Sequence, residues 1–571
     1  MTRKIRYSRS ATARRLEDSP DLALIAQLDA LQDASDQERD RRLGQGWFED
    51  VRSFFNIDPA TYSAPTFRPR IVIPELQVLM LNEATDLSDA LPKIFITHKT
   101  SRDKDREKAY QENWRQSFYN NRLLEAEIWA LFGGTGFIQV GFDAAARHGK
   151  GEVYIESRDP DTVHPDPGTK DWKRWAYVQF HDRLYIDEVR SNWPTTGYSV
   201  VPRRGPAPGI AAGSGTMGSG LSMPPGPMST GPGMSQRLVS SDSIVSVRHT
   251  FIRDYTTIDL TKEEKERLRE TLDPLLAVPS VRKMYPNGRW IVDCEGTILA
   301  DGPNPFPLGL FPIIPYRAMP SLGWFWGVPP IRYTRTLQQV AERMYTQTFE
   351  NAVRLNNGIW FIDEATGLDS DSFAGLPAEI QVINSQSRVP EVKWPAPMPA
   401  HMTQMPASLL DLQRRLQGFS PSRAGESAKG NQSADLYDST IFQSQFLTRL
   451  RSRLMAEPVQ ATAELVFYTM CRFYKDGQAF SGIESGDVKW TQWNGVDESA
   501  LQDYNIMLDP GSLRPVSMTA MRSLVTDLLQ KGQIPLRFAL EQLEFPNSDE
   551  IAEAQQQQQE LAALSKIKRP R

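Results

Sequence analysis

Asp159, Asp161, His164, Asp166 and Asp171 form the densest run of potential metal ligands in the chain. Hard cations accept such oxygens, but Pro160, Pro165 and Pro167 interrupt the run and no calcium-loop register is present. Asp-Pro pairs are turn formers, so turn chemistry is the expected role. The six histidines (98, 148, 164, 181, 249, 401) include no His-x-x-x-His pair of the kind a zinc protease uses. Gly133-Gly-Thr-Gly lacks the Lys-Ser/Thr of a phosphate-binding loop and follows a helical pattern rather than a strand. Residues 425–433 carry Lys429 and Ser433 at the wrong spacing for that motif. No Gly-x-Ser-x-Gly elbow occurs. Cys294 and Cys471 lie too far apart to suggest a disulfide framework or a zinc site. No catalytic constellation assembles, and neither enzyme activity nor a cofactor is expected. A metal-dependent hydrolase built on the 159–171 aspartates is the enzymatic alternative.

The positive charges are more suggestive. A helix expected over 329–356 carries Arg332, Arg335, Arg343 and Arg354 against Glu342 and Glu350. That surplus fits a solvated face, salt bridges between subunits, or a surface facing a polyanion. Arg388, Lys393 and Trp394, in a proline-spaced loop, are candidates to meet nucleic acid. The whole chain is nonetheless slightly acidic, with 65 Lys/Arg, 70 Asp/Glu and net charge −5. A tight sequence-independent binder of nucleic acid carries a basic excess instead.

The elements that must hold these groups can be read along the chain. With 571 residues, 40% of them hydrophobic, it can build a sizeable core, and 13 Trp, 17 Tyr and 25 Phe exclude global disorder. The basic segment before Glu17 reads as a solvated arm. Leu22, Ile25, Leu28 and Leu31 predict a helix from Pro20 that Gly44 and Gly46 end. A second helix spans 74–90, with Leu76, Leu79, Met80, Ala84 and Leu87 on one face. A third is expected from Arg102 to Leu131, with Trp114, Phe118, Leu124, Ile128 and Phe132 as its stripe. Strands follow at 137–142, 153–155, 175–180 and 244–251. Residues 205–236 contain no charged side chain and read as a flexible Gly/Pro/Ser loop. A charged helix then runs from Thr261 to about Leu272, and strands at 289–292 and 297–300 flank a turn at Cys294-Glu-Gly. The 329–356 helix would be about 42 Å long, with Leu337, Val340, Met344, Thr348 and Ala352 as its apolar stripe. Short strands (358–362, 380–383), a helix at 402–417 and a long helical pattern over 433–474, kinked at Pro458, come next. Strands at 488–493 and 504–508 and helices at 519–531 and 536–543 complete the pattern. No signal-peptide core and no apolar run of about 20 residues occurs, so a soluble, cytoplasmically made protein without membrane contact is expected.

The order of these segments resembles the portal proteins of tailed bacteriophages. Pro74-Glu-Leu-Gln-Val-Leu-Met-Leu-Asn followed by Leu91-Pro-Lys-Ile is similar to the family's early helix and its Pro-Lys. Leu131-Phe-Gly-Gly-Thr-Gly-Phe resembles its helix–glycine–strand passage, and Asp159-Pro, His164-Pro-Asp-Pro and Ala176-Tyr-Val its acidic-proline strand pair. Gly309-Leu-Phe-Pro-Ile-Ile-Pro, Gly327-Val-Pro-Pro, Leu337-Gln-Gln and Glu342-Arg follow in the family's order. So do Gly418-Phe-Ser, Gly425 and Ser433-Ala, then Leu529-Gln-Lys-Gly-Gln-Ile-Pro and Leu543-Glu-Phe-Pro. The likeness covers roughly residues 70–550.

The resemblance implies an α+β portal-type subunit with a helical wing and stem, a small β-containing clip, a long kinked helix and a helical C-terminal crown. By position, 1–60 would be an arm and helix, 61–260 the wing, and 261–276 with 329–356 the stem helices. Residues 277–328 would be the clip, 357–400 wing strands and tunnel loop, 401–511 the long wing helix and strands, and 512–571 the crown and tail. It also implies a ring, typically of twelve copies, at one capsid vertex, through which double-stranded DNA is packaged and ejected. Implied partners are the terminase large subunit, major capsid and scaffolding proteins, and head–tail adaptor or tail proteins. The protein would reside in the virion, after assembly in the host cytoplasm. Arg332, Arg335, Arg343, Arg388, Lys393 and Trp394 become the candidate DNA-channel residues. Another phage head–tail adaptor or capsid-assembly protein is the alternative.

Overall fold

The computed structural model describes residues 20–56, 71–88, 92–99, 101–202, 244–261, 281–356, 359–361, 391–393, 399–419, 446–474, 478–484, 487–493, 496, 498–509, 525–536 and 539. It is a mixed α+β structure. The expected arm, the 205–236 loop, the helix from 262 onward, the strand at 380–383, the stretch 433–445, the helix at 540–543 and the tail lie outside the described residues.

Two helices open the chain, α1 (Pro20–Leu43) and α2 (Trp47–Asn56), followed by α3 (Glu75–Ser88). All five apolar positions read on α3 are buried. Strands β1 (Ile94–His98) and β2 (Ser101–Arg102) form one sheet with the much later β17, in the order β17-β1-β2. The helix expected from Arg102 to Leu131 is two helices, α4 (Lys104–Gln116) and α5 (Tyr119–Gly133). Phe118 separates them at φ 51°, a left-handed conformation costly for a residue with a Cβ, and its ring is exposed rather than part of the stripe. The break lets Tyr119 donate to the Val153 carbonyl and Ser117 to Glu152 Oε1 at 3.0 Å, seating α5 on the sheet that follows.

That sheet is β12-β3-β4, from β3 (Thr135–Asp143), β4 (Glu152–Arg158) and the later β12 (Ile313–Arg317). Gly136 is where α5 and β3 touch: a Cβ there would lie 2.1 Å from the Ala126 carbonyl oxygen. After α6 (Ala146–Gly149), strands β5 (Val163–Pro165) and β6 (Tyr177–Tyr185), helix α7 (Ile186–Asn192) and strand β7 (Ile244–Ile252) follow. The exposed ribbon β8 (Thr257–Asp259)–β9 (Val281–Lys283) comes next, then β10 (Arg289–Cys294) and β11 (Thr297–Pro303), turning at Glu295-Gly296. The second sheet runs β11-β10-β7-β6-β5. Residues 289–303 therefore extend the sheet begun by β5–β7, and 313–317 pair with β3.

The remaining elements are α8 (Ile331–Asn356), the hairpin β13 (Ile359–Phe361)–β14 (Glu391–Lys393), α9 (Ala400–Leu416) and α10 (Phe446–Phe473). The hairpin β15 (Gln478–Glu484)–β16 (Asp487–Trp493) and β17 (Tyr504–Leu508) complete them, with residues 525–530 helical. Pro458 lies buried within α10. One main hydrophobic cluster joins α2, α3, α5, β3, β12 and α10, and a smaller one sits between α7 and one end of the second sheet. No described helix is long and apolar enough to cross a membrane.

The charged groups buried within this packing include an ion pair and a lone carboxyl. Glu83 of α3 meets Arg451 of α10 at 3.0 Å, with side chains 0% and 3% exposed. Glu127 of α5 is buried without an opposing cation among the described residues, and desolvation pushes its carboxyl up to about 8. A raised carboxyl pKa means the folded state holds a proton the unfolded chain releases, so stability falls as pH rises from about 4.5 to 8. Glu127→Gln is expected to flatten that part of the melting-temperature profile; an unchanged slope would show that Glu127 is ionised in the fold.

Candidate functional site

Helix α8 packs by its polar residues. Its buried positions are Ile331, Thr334, Gln338, Ala341 and Glu342. The stripe expected at Leu337, Val340, Met344, Thr348 and Ala352 is half-buried or exposed, so the helix is rotated relative to its hydrophobicity. The reason is a shared amide network. Gln338 Oε1 accepts from the Leu76 backbone at 2.9 Å, and its Nε2 donates to Glu342 Oε1 at 3.0 Å. Glu342 Oε1 also accepts from the Ile73 backbone at 3.2 Å. From α9, the buried Gln413 approaches Gln338, and Gln417 Nε2 donates to Thr334 Oγ1 at 2.7 Å and to the Pro330 carbonyl at 3.0 Å. Buried amides are tolerable only when so partnered. The i,i+4 pairs Gln338/Glu342 and Gln413/Gln417 are the sequence signal for this joint.

The buried positions of the joint end at Glu342, with Thr346 Oγ1 still accepting from the Ile71 backbone at 3.2 Å. From Arg343 to Val353 no α8 side chain is buried, a stretch of about 16 Å. Phe349 and Val353 there are 45% and 42% exposed, beside the exposed Met402 and Met405 of the antiparallel α9. On α9 the positions Met405, Leu409, Leu412 and Leu416 follow the 4-3-4 spacing of a helix-packing seam. Met405, Leu412 and Leu416 are exposed, Leu416 to 55%. The pair α8–α9 thus turns polar groups inward and an apolar seam outward.

The candidate arginines divide along the same line. Arg335 Nη1 pairs with Asp50 Oδ2 of α2 at 2.5 Å, its guanidinium lies 5.1 Å from the Phe54 ring, and its side chain is only 14% exposed. It ties α8 to α2, so its expected place on a DNA-facing surface does not fit its burial. Arg332 Nη1 donates to the Arg42 carbonyl at the end of α1, at 3.1 Å, with Trp47 beside it. Arg343 is exposed and has no ion-pair or hydrogen-bond partner among the described residues. Lys393 lies on β14, opposite Ile359, which brings the loop's end back beside the end of α8. Arg388 and Trp394 are outside the described residues.

The 159–171 aspartates act as turn and ion-pair groups. Asp159 Oδ1 accepts from the Asp161 backbone at 3.1 Å and its Oδ2 pairs with Arg52. Asp161 pairs with Arg39. Asp166 accepts from the Gly168 and Ala176 backbones, and Asp171 from Lys173. Among the described residues no group of three or more His, Cys, Asp or Glu is placed to hold a metal ion. Both cysteines are buried, and burial pushes the Cys294 thiol up to about 12. No protein-family model matches the chain, and no curated protein matches it.

Proposed function

We propose that this chain is the repeating subunit of a portal ring. In this reading it forms the channel at one capsid vertex through which double-stranded DNA is packaged and ejected. It also docks the terminase large subunit and then adaptor or tail proteins, and meets major capsid and scaffolding proteins during assembly. The observation that carries this reading is the outward apolar seam of α9 with the uncovered distal half of α8. Exposed leucines at seam spacing call for a helix from elsewhere, and a ring supplies one from each neighbouring copy. The order of segments along the chain supplies the rest. A slightly acidic chain with isolated outward arginines suits a conduit, because dense phosphate neutralisation would arrest sliding DNA.

Electron microscopy with mass determination on the purified protein tests this. Twelve copies of a 64.6 kDa chain weigh about 775 kDa and should image as rings with an axial channel. A compact dimer without a channel would remove the reading, and a ring of far smaller diameter without DNA passage would favour a head–tail adaptor. Within the ring reading, Arg343 is, of the candidate arginines on α8, an exposed one placed to meet DNA. Arg343→Glu is expected to leave ring formation intact and weaken DNA binding, lowering the salt slope by about 1 for each phosphate that the arginine no longer neutralises. Binding and slope equal to wild type would take Arg343 off the channel wall.

A further inference from the structure

Helix α1 covers one face of the five-stranded sheet, and that face is mostly polar, with Ile252 and Ile291 among its apolar members. Strand alternation puts Tyr177, Gln179 and His181 of β6, Arg248 and Thr250 of β7, and Asp293 of β10 on the same side. Polar contacts from these strands hold α1. Tyr177 Oη donates to the Leu31 carbonyl at 2.8 Å, and Gln179 Nε2 to the Leu28 carbonyl at 3.0 Å. Arg248 Nη1 donates to Asp29 Oδ1 at 2.7 Å and Gln32 Oε1 at 3.1 Å, while its Nε and Nη2 hold Asp293. His181 Nε2 meets Gln32 Oε1 at 3.2 Å, and His164 Nδ1 of β5 meets Asp36 Oδ1 at 2.7 Å.

Ile25 and Leu28 are buried under α1, yet neither belongs to either hydrophobic cluster; of α1 its last residue, Leu43, joins the main one. The following α2 contributes Phe48, Val51 and Phe54 to the main one. Between the two helices Gly44 and Gly46 adopt φ 102° and 71°, with open space where a side chain would be. A helix held by polar contacts on a water-compatible surface, next to a glycine joint and an anchored neighbour, is built to detach.

We propose that α1 is a removable strap, hinged at Gly44–Gly46, that mild acidification releases from the sheet through protonation of His181. Around His181 stand His164 of β5, Arg248 of β7, Asp29 and Asp36 of α1 and Asp293 of β10. On the sheet's other side lie His249, Asp182 and Arg158. The carboxylates are already engaged: Asp29 and Asp293 with Arg248, Asp36 with His164. A proton on His181 therefore meets burial and the charge of Arg248 with no anion of its own. Burial first, then His164 and Arg248, push this imidazole down to about 3. When α1 leaves, His181 is solvated and titrates near its ordinary 6.5. The docked state then binds fewer protons than the released one near and below pH 6.5, so release is favoured about fivefold between pH 6.5 and 5.5 and approaches about tenfold per unit below that. His249 stays buried against Phe180 and Trp290 in both states and adds nothing.

Hydrogen–deuterium exchange on the full chain, corrected for intrinsic rates, tests the strap. Between pH 6.5 and 5.5 the protection of α1 should fall about fivefold while α2 and α10 keep theirs. In His181→Gln, which retains neutral hydrogen bonding, the protection of α1 should stay within about twofold. Protection of α1 that ignores pH would overturn the proposal, as would an equal fall in the glutamine variant or a parallel loss in α2 and α10. His181→Asn gives the same comparison if the glutamine variant does not fold.

Discussion

A chain carrying Leu412→Glu and Leu416→Glu is expected to stay monomeric under conditions where the wild-type protein forms rings, with its melting temperature unchanged. Both side chains are exposed in the subunit, at 44% and 55%, so the isolated fold loses little when they become charged. In a ring, each would be buried at every interface, at about 1.5–3 kcal/mol apiece. Glutamate removes that gain and adds the cost of dehydrating a carboxylate. Ring closure multiplies the loss over all copies, so the effect is all-or-none rather than graded. Analytical ultracentrifugation beside thermal melting measures both quantities. Intact rings from the double variant would show that the α9 seam faces solvent in the assembly. A lowered melting temperature would show that it belongs to the subunit's own fold.

Arg451→Leu is the substitution expected to cost the subunit most. It leaves Glu83 buried opposite a hydrocarbon, and breaking a buried ion pair from one side costs about 3–5 kcal/mol. Glu83→Leu together with Arg451→Leu should recover most of that loss, because neither charge then has to be dehydrated. The urea midpoint of the transition that exposes α10 reads both. A single-variant loss below about 1 kcal/mol would mean that water reaches the pair. A double variant no better than the single would mean that the Arg451 side chain matters for its packing instead.

Secondary structure was legible where apolar residues mark one face of α3 and β17, but α2 went unread although Phe48, Val51 and Phe54 mark its buried face. The positions on α3 are all buried, and β17 lies where the alternation over 504–508 put it. Reading failed where polar side chains do the packing. The α8 stripe from Leu337 to Ala352 is a genuine apolar periodicity, but the face that packs inward is the one bearing Gln338 and Glu342, because α3 and α9 offer amide and backbone partners there. The break at Phe118 was invisible because the apolar period runs through it, and a left-handed phenylalanine announces itself by no composition signal. Of the arginines, charge counting could nominate Arg335 and Arg343 equally; only the position of Asp50 on a different helix separates them. The strap contacts of α1 were illegible for a similar reason, since Arg248 meets Asp293 through strand register and Asp29 through the packing of α1 on the sheet.

The pairing of β1 with β17 joins Ile94 to Leu508, and that of β3 with β12 joins Gln139 to Ile313. On the ribosome, at about 5–20 residues per second, β1 waits some tens of seconds for its partner to be made. Until then its edge is open to any other strand, including that of a second nascent chain. A messenger cut short between codons 417 and 504 yields a product whose first sheet never closes, while the α9 seam, the proposed ring contact, is already present. In the proposed ring such a fragment would leave one sector incomplete, so the fidelity of that assembly would depend on full-length translation as well as on subunit stability.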